Sequence, residues 1–310
     1  MTIKHLTIEN FEEAFGDQLS DFVKSKIEEL DFSYVELNKE ERDSLFLTIL
    51  KVLDAPTITR SGPHRINDWE RGWGENRDEF SETQEYHSLI PKYFGKFPYV
   101  RWQQDFIKPV NKSFEYNMVK ILQYWLFEKH FHDRDAVYEF GCGSGHNLMR
   151  VGDVNPEAQV YGLDWATSSQ DGVQKINEAY GTNFGYHNFD FFNVDEEYIL
   201  QRNSGVYTFA ALEQVGDSYR DFVEYLIAQN PEICVHIEPM AEPLNPDENL
   251  IDYFSVRYFN KRNYLGGLIS TLKELESCGK IEIVQLQRSS VGSMFVDGYS
   301  IIAWKAVNAK

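Results

Sequence analysis

The stretch Ala136-Val-Tyr-Glu-Phe-Gly-Cys-Gly-Ser-Gly-His146 decides how this chain is read. A short apolar run carries Glu139 near its end, and Gly141, Gly143 and Gly145 follow at alternate positions. Glycine is needed where the main chain turns with positive φ, or where a ligand must touch main chain directly. The glycines are expected to open a helix over 145–152, with His146 just inside it. A helix N-terminus offers free N–H groups and the positive end of a dipole. In open α/β sheets, ligands sit beyond the carboxyl ends of strands, where this loop would stand. Spacing excludes three other loops. A dinucleotide fingerprint requires glycine where His146 stands, a P-loop requires a following Lys, and a nucleophile elbow requires glycines two residues either side of Ser144.

Outward from this loop the texture is regular. Apolar runs at Ala136–Phe140, Gln159–Leu163, Asn183–Tyr186, Val206–Ala211, Ile233–Ile237, Ile281–Leu286 and Tyr299–Trp304 read as strands. Amphipathic segments at 145–152, 167–180, 194–202, 219–229 and 263–277 read as helices. This alternation predicts βαβ units, hence an α/β fold with a doubly wound, mostly parallel seven-stranded sheet. Only Gln287–Gly298 joins the last two strands, too little for a crossover helix, so the last strand is expected to be antiparallel. Upstream, 113–131 is a helix candidate, and 8–54 reads as helices through Phe11, Phe15, Leu19, Phe22, Val23, Ile27 and Leu30. Residues 60–110 read as an aromatic-rich loop. The expected division is a helical cap and lid over 1–110 and the sheet domain over 111–310.

The pattern acid-x-G-x-G-x-G over Glu139–Gly145 resembles motif I of the Rossmann-like (class I) S-adenosylmethionine-dependent methyltransferases. Its continuation does so too. Val160-Tyr-Gly-Leu-Asp164 is a second strand ending in an acid, 23 residues after Gly141. Asn188-Phe-Asp-Phe-Phe192 follows the third, Val206–Gln214 resembles the fourth strand with its loop, and Ile233-Cys-Val-His-Ile-Glu-Pro239 resembles the fifth. The resemblance covers 111–310. It implies S-adenosylmethionine as cofactor, with Glu139, Gly141, Gly143 and Gly145 in the loop and Asp164 on the ribose. Asp190 is then implied at the adenine amino group, Phe191 on its ring, and Glu213 on the cofactor side. In Tyr99-Val-Arg101-Trp-Gln-Gln104, Arg101 is expected to meet the methionyl carboxylate. Asp164 also suits a helix N-cap, a compatible role.

Methylation of a hydroxyl needs a proton acceptor late in the reaction. His236 and Glu238, on one face of the fifth strand by alternation, are the candidates. No catalytic metal is expected, because the fourth strand ends Leu-Glu-Gln without the clustered aspartates of metal-dependent members. The expected activity is metal-independent methyl transfer to oxygen or nitrogen of a small molecule, a sugar or secondary metabolite. The alternative is a non-catalytic scaffold that binds the same cofactor.

Composition supports this. The 310 residues carry a formal charge of −19, which opposes nucleic acid and anionic membrane as partners; an oligomer is compatible with it. Three scattered cysteines form no disulfide framework or zinc motif. The opening MTIKHLTIENFEEAFGD lacks the apolar run of a signal peptide, and no stretch reaches about 18 continuous apolar residues. A cytoplasmic location is the expectation.

Overall fold

The structure, a computed structural model, describes residues 2–307. In chain order the first half runs β1 (Lys4–His5), α1 (Ile8–Phe15), α2 (Asp21–Glu28), β2 (Ser33–Glu36), α3 (Lys39–Asp54), α4 (Ile66–Thr83), β3 (Val100–Trp102), β4 (Asp105–Pro109) and α5 (Phe114–Phe131). Then follow β5 (Ala136–Phe140), α6 (Leu148–Val154), β6 (Gln159–Asp164), α7 (Thr167–Tyr180), β7 (Gly185–Asn188), β8 (Ser204–Phe209), α8 (Arg220–Gln229) and β9 (Ile233–Glu238). The chain closes with α9 (Leu250–Arg262), α10 (Leu268–Ser277), β10 (Ile281–Gln287), β11 (Val291–Gly292) and β12 (Ser300–Ala306).

The large sheet has seven strands in the order β10-β12-β9-β8-β5-β6-β7. β5 to β9 are mutually parallel, while β12 runs antiparallel between β9 and β10, as the short connection requires. Strand order reverses between β5 and β8, so the glycine loop after β5 lies at the topological switch point, where such sheets bind ligands.

Alternation along the strands feeds two cores. Val137, Tyr207, Val235 and Ile301 pack beneath α5 and the first helices. Tyr138, Phe140, Val206, Cys234 and Trp304 pack beneath α8 and α10. Burial on both faces explains why the central strands read as near-continuous apolar runs.

Three expectations are corrected. The 60–110 segment is not a loop throughout: it contains the 18-residue helix α4. Its period is hidden by Gly72 and Gly74 and by a buried stripe that includes a polar residue, Asn76, whose Nδ2 donates to Ser88 O and Ile90 O. No helix forms over 194–202, because neighbours take its amides: Glu197 N–H donates to Asp195, Leu200 N–H to Gln229 and Gln201 N–H to the Tyr138 hydroxyl. The segment read as helical cap and lid also builds a small sheet, β1-β2-β4-β3-β11, whose last strand comes from residues 291–292. Helix α9, absent from the sequence reading, starts where the Asn249 side chain accepts the N–H groups of Ile251 and Asp252.

α3 packs against α9 through Leu45, Ile49 and Leu53 with Ile251 and Phe254. Buried Asp252 and Asp297 grip Arg288, with Arg101 beside Asp297, which ties β3, α9 and the 288–297 loop together. No helix among the described residues is long and apolar enough to cross a membrane.

Candidate functional site

The loop after β5 is tied to the next strand by two bonds, from Gly141 N–H and Cys142 N–H to Leu163 O at 2.7 and 3.0 Å. Gly141 has φ +79° and Gly143 φ +56°, in the left-handed region. A Cβ on Gly141 would fall 2.3 Å from the Ala211 side chain, and one on Gly143 would fall 2.8 Å from the Trp73 ring. Both positions therefore require glycine for space and for conformation.

Asp164 ends β6 and holds the loop from below. One carboxylate oxygen accepts Gly143 N–H and the other accepts Ala166 N–H, each at 2.9 Å. Burial raises its carboxyl to about 6, against the lowering effect of those two bonds. The N-terminus of α7 is capped instead by Glu70 of α4, which accepts from Thr167 N–H at 2.7 Å and Ser168 N–H at 3.0 Å. α4 is thereby anchored over the loop, with Trp69 and Trp73 stacked 5.4 Å apart.

A narrow slot of about 60 Å³ lies between Trp69, Trp73, Asp164, Trp165, Asp190, Phe191, Ala211 and Gln214. At Gly141 and Ala210 it meets a chamber of about 540 Å³. The chamber wall combines Gly143 and His146 of the loop, Tyr93 and Glu115, Glu213 after β8, Tyr258 and Arg262 of α9, and the 293–299 segment.

Of the residues singled out from sequence, Gly141, Gly143, Asp164, Asp190, Phe191 and Glu213 come together on these walls. Gly145 faces Ile176 and Val173, so it serves packing of the loop on α7. Glu139 lies wholly buried beneath the loop, accepting from Asn147 Nδ2 at 2.6 Å and Tyr207 OH at 2.9 Å. His146 precedes α6 rather than lying within it.

Three expectations move. Arg101 does not line the cavity: its guanidinium donates to Ile251 O, Ser255 Oγ and Met294 O. His236 points into the opposite core between Phe222 and Trp304, with Nδ1 3.0 Å from Thr208 Oγ1. Glu238 accepts the N–H groups of Ala211, Leu212 and Glu213 at 3.1 to 3.2 Å, so it orders the loop after β8 instead of facing the chamber.

Sequence reasoning named Glu213 only as a cofactor-side residue and missed Glu115, Tyr258 and Arg262 among the groups that the chamber presents. Glu213 accepts from Gln214 Nε2 at 2.6 Å; burial, then the nearby Glu238 carboxylate, push its carboxyl up to about 8. Burial pushes Glu115 up to about 7. His146 is fixed in one tautomer. Ser144 Oγ donates its single proton to Leu89 O at 2.6 Å, so His146 Nδ1 must be the donor in its 3.1 Å contact with that hydroxyl. Nε2 is then a bare acceptor, buried and without a partner among the described residues. Burial, with Arg150 nearby, holds the imidazole neutral well below its ordinary value. The one available signal was the spacing Tyr258, Arg262 along a helix. Among the described residues no three His, Cys, Asp or Glu side chains gather as a metal site.

The sheet order, the antiparallel β12 and the glycine loop at the switch point identify the architecture. The chain has the class I methyltransferase fold. Solved structures similar to it include the cyclase SpnF, at 12% identity over 80% of this chain and 97% of that one, with TM-score 0.50. Magnesium protoporphyrin IX methyltransferase from Synechocystis PCC 6803, solved with bound SAH, is 16% identical over 62% of this chain and 82% of that one, with TM-score 0.43. The plantazolicin methyltransferase BpumL in complex with SAH is 12% identical over 79% and 98%, with TM-score 0.43. No protein-family model matches the chain, and no curated protein matches it significantly. At such identities the likeness is one of fold, and the reaction has to be argued from the site.

Proposed function

We propose that this chain binds S-adenosylmethionine and methylates an oxygen or nitrogen of a small molecule held in the chamber. The observation that carries this is the junction of slot and chamber at Gly141, where side-chain-free backbone stands between an acid-lined aromatic slot and a larger chamber. Gly141 lets the loop pack directly on Ala211 and Phe191 at the edge of the slot, where a Cβ would clash with the Ala211 side chain. Asp190 and Phe191 would hold the adenine, and Asp164 the ribose, since each of its oxygens keeps lone-pair capacity beyond the N–H it already accepts. Gln214 Oε1, buried and unpartnered among the described residues, adds an acceptor at the junction. When bound, this cofactor supplies an electrophilic methyl group on a sulfonium.

The chain itself contributes alignment of the acceptor, exclusion of water and acceptance of a proton. Glu213 takes the last role in place of His236 and Glu238, since it alone of the three lines the chamber. A volume of about 540 Å³ lies in the range of small-molecule sites. A concave chamber lined by α4, α9 and the 293–299 segment, with a net charge of −19, favours a small acceptor over a nucleic acid.

Incubation with S-adenosylmethionine labelled in its methyl group and a small-molecule cell extract tests the proposal. Label is expected in a low-molecular-weight product. Cofactor binding with no acceptor labelled, from any extract fraction, would support a binding scaffold instead.

A further inference from the structure

Three residues that line the chamber each carry a buried donor without an acceptor. Arg65 Nη1, Trp69 Nε1 and Arg262 Nε are buried and without a hydrogen-bond partner among the described residues. Arginine and indole nitrogens donate only, so nothing but an acceptor satisfies them. A buried donor left unsatisfied is costly.

The two arginines are held by linked elements. Ser61 N–H donates to Arg262 O at 2.7 Å, fastening the segment that leads into α4 to the end of α9. Arg65 uses Nε on Asp68 at 2.7 Å, leaving Nη1 unmet, and its guanidinium stands 5.6 Å from the Trp69 ring. Arg262 forms no ion pair among the described residues and lies 5.1 Å from the Tyr264 ring and 6.0 Å from that of Tyr258. Of the carboxylates on the same wall, Glu115 accepts Gly95 N–H at 2.9 Å, and Glu213 accepts from Gln214 and is coupled electrostatically to Arg262 without a direct ion pair. Lys96 is the third cation on the wall.

This combination of unmet forked donors and aromatic faces selects an anion with an apolar body. The net charge of −19 disfavours a doubly charged phosphate relative to a single negative charge. We infer that the methyl-accepting substrate is a monocarboxylate with an aromatic or comparably apolar body, its carboxylate held by Arg65, Trp69 and Arg262. This inference rests on the methyl-transfer proposal for the same chamber and deepens it.

Three probes share one body and differ in the head group: 3-phenylpropionate, 3-phenylpropan-1-ol and 3-phenylpropylamine. Calorimetric titration of each into the full-length protein, with and without saturating S-adenosylhomocysteine, reads the preference. The acid is expected to bind about tenfold or more tightly than the alcohol and the amine, in line with a hydrogen bond to a buried charge. R65Q and R262Q should each abolish most of that preference while S-adenosylhomocysteine affinity stays within about threefold of wild type. R262K, which keeps the charge without the fork, should restore part of it.

Equal or tighter binding of the alcohol or amine, binding of none of the three, or a preference that survives both glutamine variants would overturn the inference. Loss of S-adenosylhomocysteine affinity in R262Q with unchanged acid preference would reassign that arginine to the cofactor and overturn it as well. Wild-type protein that prefers the acid but binds no S-adenosylhomocysteine would keep the anion subsite and remove the methyl-transfer proposal, so the two failures are distinct.

Discussion

The indole of Trp73 lies against Gly143, so close that a Cβ on that glycine would come within 2.8 Å of the ring. The helix that carries Trp73 is thus seated on the glycine loop, anchored by Glu70 at the start of α7. One consequence is that Gly143→Val should disturb both the φ +56° backbone and the position of α4. The variant is expected to lose S-adenosylhomocysteine binding by about a hundredfold or more, read by calorimetry, with far-UV circular dichroism retained.

Glu213 gives the site its pH dependence. Its carboxyl, raised to about 8 by burial and by Glu238, accepts a proton only in the ionised form. With a hydroxyl or amine acceptor, kcat/KM should rise about tenfold per pH unit below pH 8 and level off above it. Glu213→Gln should remove that limb and lower the plateau rate by about a hundredfold or more. A rising limb that survives in the variant would take the proton acceptor's role from Glu213.

Glu139 links the loop to stability. Burial pushes its carboxyl up to about 8 from an ordinary value of 4.5, despite hydrogen bonds from Asn147 and Tyr207 that favour ionisation. The folded state therefore binds the proton more tightly than the unfolded chain does. The stabilisation is complete below about pH 4.5 and is lost as pH rises through 8. Burial raises Asp164, Glu115, Glu213 and Glu238 in the same direction. The melting temperature should fall by several degrees between pH 6 and pH 9, at about 2 °C per kcal/mol for a chain of this size. Glu139→Gln should flatten that slope and melt higher than wild type at pH 9.

His146 should be neutral with the proton on Nδ1, because Ser144 has already given its own proton to Leu89. Nitrogen NMR of the imidazole is expected to show a protonated Nδ1 and a bare Nε2 at pH 7, with no titration down to pH 5. A titration midpoint near 6.5 would show the ring to be solvated.

The loop from Glu139 to His146 was legible because its glycines answer to local geometry: φ and close approach are properties of the residues themselves. The same holds for β5 and β6, whose buried faces enforce apolar runs, and for α7, whose limits at 167 and 180 agree with the pattern. The chamber was not legible, because it is assembled from distant segments. Arg262 meets the 61–65 region across some two hundred residues, through a main-chain bond from Ser61 that no periodicity encodes. Trp69 and Trp73 announced an aromatic cluster, but Gly72 and Gly74 obscured the helix that aims it. His236 and Glu238 share a strand face as alternation requires, yet strand alternation says nothing of which face meets a cavity. Glu238 is instead held by three main-chain N–H groups of the preceding loop, a tertiary arrangement.

The most direct test of the central claim is calorimetric titration of the purified full-length protein with S-adenosylhomocysteine at pH 7.5. The account predicts one site per chain, with affinity reduced about tenfold or more by Asp164→Ala in a protein that still melts cooperatively. Absence of heat from wild type under conditions where it is folded, or full affinity retained in Asp164→Ala, would contradict it.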